Sequence, residues 1–168
     1  MKEAVREGGD VIEAAWLMPE SVELARRILT SHQRAFGQPL LAGWAVDRAP
    51  RLCAQELFAA TAAVLAHDGG ADPRLIYANR TALQLWRRDW SAMVGMPSRL
   101  TAAASERPSR AAALHQARAQ EAISGYSGIR IDSAGRRFQI QGARLWSLRD
   151  GDGQPCGQAA SFESWWWL

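Results

Sequence analysis

Ile76-Tyr77-Ala78-Asn79-Arg80-Thr81-Ala82-Leu83 is the stretch on which the fold turns. It joins a short apolar run, Arg74 to Ala78, directly to a helical pattern, Thr81 to Trp86. Asn79 stands at the junction. Asparagine is among the best helix N-caps, because its side-chain oxygen accepts from an open amide of the first turn. A strand running straight into a capped helix is the expected local structure. Just upstream, Ala62-Ala63-Val64-Leu65-Ala66 is a second short apolar run. Asp68-Gly69-Gly70-Ala71-Asp72-Pro73, between the two runs, is dense in turn formers, so they read as a β-hairpin.

Working outward toward the N-terminus, residues 1–60 read as a helical extension. Pro19 suits the first turn of a helix. Val22, Ala25, Ile28, Leu29, His32 and Phe36 then recur at helical spacing, and Gly37 with Pro39 ends the pattern. Leu40 to Arg48 reads as a loop, and Pro50 opens a second helix that buries Leu52, Cys53, Leu57 and Phe58.

Toward the C-terminus, Gly95 to Thr101 is an irregular connection. A long helix follows over 106–123, with Ser105 as its cap, Pro108 in its first turn and Ser124-Gly125 as its stop. Three strands complete the chain, and the alternation within the second blurs near Gly142, a mark of a bulge. The expectation is an α+β fold: five antiparallel strands near 62–67, 74–78, 127–132, 136–148 and 156–165, with the helices of 80–123 on one face. The sheet domain covers 61–168.

Composition narrows the function. The chain has 168 residues, 48% of them hydrophobic, enough for one domain with a real core. No apolar run approaches the roughly 18 residues of a membrane span. Met1 to Asp10 is charged and lacks a signal core, so a cytoplasmic protein is expected. Cys53 and Cys156 belong to no ligand-spaced pattern and read as reduced thiols. The formal charge is +3, and Lys2 is the only lysine. The arginines are scattered rather than gathered on a stripe, which argues against specific nucleic-acid binding. His32, His67 and His115 have no metal-ligand spacing. The phosphate-cradling, nucleophile-elbow and zinc-protease motifs are absent, and the His67-Asp68 pair falls at a hairpin end, so no enzyme is expected. His115, the best axial haem ligand on offer, reads instead as a helix-surface residue.

The order of elements is similar to that of PAS domains, and the closer resemblance is to the MEKHLA domain. This is a PAS-related module found at the C-terminus of plant homeodomain-zipper regulators and as small stand-alone bacterial proteins. The segments that carry it are His67-Asp68-Gly69, Asp72-Pro73, Tyr77 to Leu83 and Pro97 to Ala102. They continue with Tyr126 to Ile131, Gly135 to Phe138 and Gly157 to Phe162. A weaker match lies at Leu29 to Leu41. Ala103 and Gly125 stand where the family usually has carboxylates, so no role resting on those acids carries over. The resemblance implies a sensory or interaction module of PAS-like fold and names no cofactor.

Candidate ligand-binding groups are Tyr77, Asn79, Arg99, Tyr126, Arg130, Arg137, Trp146 and Gln158, polar groups near an otherwise apolar sheet–helix interior. Each also has an ordinary structural role available: Asn79 as a cap, Arg99 at a helix end, Arg130 and Arg137 in solvent, Trp146 in the core, Gln158 between strands. The expected ligand is a small organic anion held at a polar end formed by Tyr77, Arg99 or Arg130. The terminal run Trp165-Trp166-Trp167 cannot share one face of a strand. Either the N-terminal helices cover it, or it joins those helices and the outer sheet face in a symmetric homodimer. Two functions stay open at this stage: a sensor whose ligand shifts an association equilibrium with itself or a separate protein partner, and a solid dimerisation module with no ligand.

Overall fold

The computed structural model describes residues 13–168; the charged segment Met1 to Asp10, and with it the start of the helical extension, lies outside the described residues. Five helices are described: α1 (Pro19–Phe36), α2 (Pro50–Ala59), α3 (Arg80–Trp86), α4 (Trp90–Met93) and α5 (Arg107–Gln120). The strands are β1 (Ala63–Asp68), β2 (Leu75–Ala78), β3 (Ala122–Ile131), β4 (Arg137–Arg149), β5 (Pro155–Phe162) and β6 (Ser164–Trp167). They form one antiparallel sheet in the order β2-β1-β5-β4-β3, with β6 also on β4.

Asn79 ties the sheet to the helices. Its register partner across the β1–β2 ladder is Val64, to whose carbonyl the Asn79 amide donates at 3.0 Å. The Asn79 carbonyl cannot return that bond, because it has turned to accept from Leu83 in α3. The side chain takes its place: Oδ1 accepts from the Val64 amide at 3.0 Å and from the Ala82 amide at 3.1 Å. Nδ2 donates to the carbonyls of Leu57 and Ala62, so the end of α2 and the approach to β1 are fixed as well. The residue is fully buried.

Helices cover both faces of the sheet. On the inner face, Trp86 of α3 packs edge-on against Phe138 and Phe162, and its indole Nε1 donates to the Thr101 carbonyl. On the outer face, α1 and α2 bury Ile28, Leu29 and Leu57 against Val64, Tyr77, Trp146 and Leu148. His32 of α1 sits edge-on to Trp146. Its Nδ1 faces the Gln38 carbonyl at 3.0 Å and must donate there, so Nε2 is free to accept from Arg144 at 3.1 Å. Burial, with the nearby Arg144 charge, lowers the His32 pKa to about 4 despite the favourable bond to Gln38.

Several boundaries differ from the sequence reading. The long helix stops at Gln120, three residues early. Glu121 takes a left-handed φ of 68° because β4 claims it: its carbonyl accepts from Ser147 and its carboxylate pairs with Arg149. β3 therefore starts at Ala122 rather than 127. Ser105 does not cap the long helix; it lies in a short 3₁₀ turn, and α5 begins at Arg107 with Pro108 in its first turn. The described residues form six strands rather than five, because the last one breaks at Glu163. Both pieces keep one register on β4, and the break lies opposite Gly142, which has φ 67°. Before Gly142 the inward side chains of β4 are Phe138 and Ile140; after it they are Ala143 and Leu145. The expected bulge is thus a paired kink in two strands.

Asn79→Ala removes four side-chain hydrogen bonds and leaves buried main-chain groups unsatisfied, so it should destabilise the domain by about 3 kcal/mol in chemical denaturation. His32 gives a pH dependence. In the unfolded chain it takes up a proton near pH 6.5, in the folded chain only near 4. Between these values the unfolded state binds more protons, so this contribution is complete above 6.5 and is lost as pH falls toward 4. It amounts to about 2 kcal/mol. Denaturation midpoints of the parent and His32→Gln chains should converge as pH falls through that window.

Candidate functional site: a two-arginine pocket under the sheet

The inner face of β3 carries Tyr126, Gly128 and Arg130 at alternate positions. A Cβ on Gly128 would stand 2.6 Å from the Tyr126 hydroxyl and 3.0 Å from Arg130 Nη1. Glycine there lets the Arg130 side chain fold back along its own strand. Nη2 donates to the Tyr126 hydroxyl at 3.2 Å and Nη1 to the Ile129 carbonyl at 3.0 Å. Arg130 is only 7% exposed, yet among the described residues no carboxylate forms an ion pair with it.

α5 brings a second arginine. Arg110, Ala113, Leu114 and Ala117 share one face of the helix, turned to the sheet. Arg110 is likewise without an ion-pair partner among the described residues. Burial, and then the neighbouring Arg130 charge, lower its pKa to about 10, so it stays cationic at neutral pH.

Opposite the arginines lie two buried acceptors. His67 of β1 and Gln158 of β5 are cross-strand partners, 6% and 3% exposed. His67 Nδ1 donates to the Asp68 carbonyl at 2.8 Å, which leaves Nε2 as an acceptor. Burial holds the ring neutral by lowering its pKa. Gln158 Nε2 donates to the Leu114 carbonyl at 2.9 Å. Among the described residues, His67 Nε2 and Gln158 Oε1 have no hydrogen-bond partner.

These groups bound a partly open pocket of about 50 Å³, whose other walls include Leu65, Trp86, Ile140 and Phe162. His67, Arg110, Leu114 and Gln158 also line an open groove of about 760 Å³ between α5 and the 68–73 turn. The pocket therefore has a mouth, and the groove is its approach.

Of the residues singled out from sequence, Tyr126, Arg130 and Gln158 meet at the pocket. Tyr77 and Trp146 do not: both are fully buried on the outer face, Tyr77 edge-on to Trp90 and Trp146 against His32. Strand alternation sends them away from the pocket. Burial pushes the Tyr77 phenol pKa up. Arg99 is an exposed groove residue paired with Asp72 at 3.2 Å, and Arg137 is exposed at the start of β4. Asn79 lies outside the pocket lining, and the fold uses both of its polar atoms. The sequence reading passed over Arg110 and took His67 only as half of a pair with Asp68. The missed signal is the helical stripe 110-113-114-117, apolar except for one arginine.

The terminal tryptophans divide as alternation requires. Trp165 and Trp167 pack edge-on against Phe138 on the inner side, and Arg136 lies over the Trp167 ring at 4.1 Å. Trp166 is paired with Gln139. All three are 37–47% exposed. The N-terminal helices and the outer sheet face are buried against each other within one chain, so they are not free to form the expected dimer interface.

Among solved structures, the PAS domain of a protein from Colwellia psychrerythraea superposes with a TM-score of 0.59 at 13% identity, over 66% of this chain and 92% of that one. An RNA-binding light-oxygen-voltage receptor superposes with a TM-score of 0.61 at 21% identity, over 74% of this chain and 35% of that longer one. A light-oxygen-voltage domain studied with a flavin analogue gives 0.55 at 17%, over 68% and 83%. At these identities the likeness shows a PAS fold. No curated protein matches the sequence. The MEKHLA domain model matches residues 22–167, nearly the whole chain. The chain belongs to the MEKHLA domain family.

Proposed function

We propose that this domain is a non-catalytic sensor that takes a small organic ligand into the pocket under its sheet and reports occupancy through protein association. The observation that carries this reading is the pocket's unmet polarity among the described residues: a buried and a half-buried arginine without carboxylates, and two buried acceptors without donors. A domain built only for rigidity gains from an apolar filling there, since unpaired buried charge is costly. Flavin does not fit. About 50 Å³ holds roughly three to five water-sized groups, whereas cofactor pockets run to several hundred Å³. Neither cysteine lies at the pocket; Cys53 and Cys156 belong to the outer-face cluster.

Association is assigned to the surface around Trp165, Trp166, Trp167 and Leu168, the largest run of exposed apolar side chains among the described residues. Such surface is rare on a monomer. A homodimer through it is the favoured arrangement, and a separate protein partner is the other use of the same patch.

Two measurements test the two halves. Native mass spectrometry of protein purified from its own host should show a bound small molecule in the parent chain. Gly128→Ala should lose it, because the added methyl displaces Tyr126 or Arg130. A parent chain that carries nothing removes the sensor reading. Light scattering across a dilution series should give a dimer for the parent and a weaker one for Trp166→Ser, which spares the tryptophans packed on Phe138. A monomer at every concentration defeats the dimer.

A further inference from the structure

Given a ligand in this pocket, we infer its chemical class: a short hydroxycarboxylate, held with its carboxylate between Arg110 and Arg130 and its hydroxyl toward His67 and Gln158. This rests on the sensor reading above and goes further by naming what the pocket selects.

Charge comes first. Arg110 and Arg130 face one space from two different elements, α5 and β3, with no carboxylate between them. Two guanidiniums brought together out of water repel each other, and an anion between them reverses the sign of that interaction. Arg130 already spends donors on Tyr126 and the Ile129 carbonyl, and those bonds fix its direction. A planar carboxylate matches the guanidinium fork better than a spherical ion does.

The acceptors supply the second constraint. His67 Nε2 and Gln158 Oε1 can only receive a hydrogen bond, and both are buried. A plain carboxylate offers no donor, so it would satisfy the arginines and leave these atoms bare. A hydroxyl next to the carboxylate meets both needs. An ammonium would also donate, but it would enter a site already holding Arg110 and Arg130, with Arg118 near His67.

Size supplies the third. The volume of about 50 Å³, roughly three to five water-sized groups, suits a molecule on the scale of glycolate or lactate, whose bonded atoms sit closer together than separate waters. The apolar walls, Trp86, Ile140 and Phe162 among them, suit a short aliphatic tail. Longer acids would have to extend past His67 and Leu114 into the groove.

Isothermal titration with four probes of similar size tests this: lactate, propionate, 1,2-propanediol and inorganic phosphate. Lactate should bind, propionate about tenfold more weakly for want of the hydroxyl, and the diol not measurably. A diol that matches lactate, or phosphate that exceeds it, overturns the hydroxycarboxylate assignment and leaves a small-molecule sensor standing. If none of the four binds while host-purified protein carries a different small molecule, the class is wrong. If host-purified protein carries nothing either, the sensor reading falls with it.

Arg110→Met supplies a second readout that a merely structural arginine would not give. It should abolish lactate binding and raise the thermal midpoint of the empty protein, because one of two repelling, largely desolvated charges is gone. A lowered midpoint with binding retained would mean that Arg110 serves the fold and not the ligand.

Discussion

Asn79 lets a β-strand become an α-helix within a single residue and without loss of a main-chain bond. A chain that turns from ladder to helix normally leaves one strand amide and several helix amides unpaired, and buried amides are costly to leave so. Here the carbonyl joins α3 while the carboxamide oxygen serves Val64 in its place. The same oxygen caps the helix, and the carboxamide nitrogen binds the end of α2. The helices therefore have a fixed origin relative to the sheet. The inner-face pocket inherits that geometry, since Trp86, one of its walls, lies seven residues on at the far end of α3.

The two faces of the sheet solve different problems. The outer face is closed by aromatic and aliphatic packing, and its one buried histidine is held neutral between a carbonyl and an arginine. The inner face is left with positive charge and open acceptors. Such groups reduce stability. The rigid outer layer is what makes the inner one tolerable: β1, β4 and β5 are held from behind while their other side lines the pocket.

This contrast also explains what the sequence could convey. The strand-to-helix junction, the hairpin turn and the Gly37 stop were legible because each depends on neighbours in the chain. The end of α5 was not, because β4 sets it by capturing Glu121 from 26 to 28 residues away. The break of the last strand was half legible: Gly142 gave the position, but its echo at Glu163 depends on pairing. In the site, Tyr126 and Arg130 were legible only as polar groups beside an apolar run, because the expected strand began at 127 and left Tyr126 outside it. Tyr77 and Trp146 were misplaced because an aromatic in a strand reads the same on either face until the sheet is assembled. Arg110 required knowing that α5 turns this face to the sheet.

The position of the pocket relative to the tryptophan patch bears on how occupancy could be read. Ile140 lines the pocket and is the register partner of Trp165; Phe138, two residues along the same face, carries both Trp165 and Trp167. One layer of packed side chains separates the pocket wall from the exposed patch. Adjacency alone is not coupling; a signal needs an element with two arrangements. The kink at Gly142 and Glu163 is the irregular point of this part of the sheet. It is the point where β4 and the last strand change which side chains face inward, and only β6 beyond it carries the tryptophans.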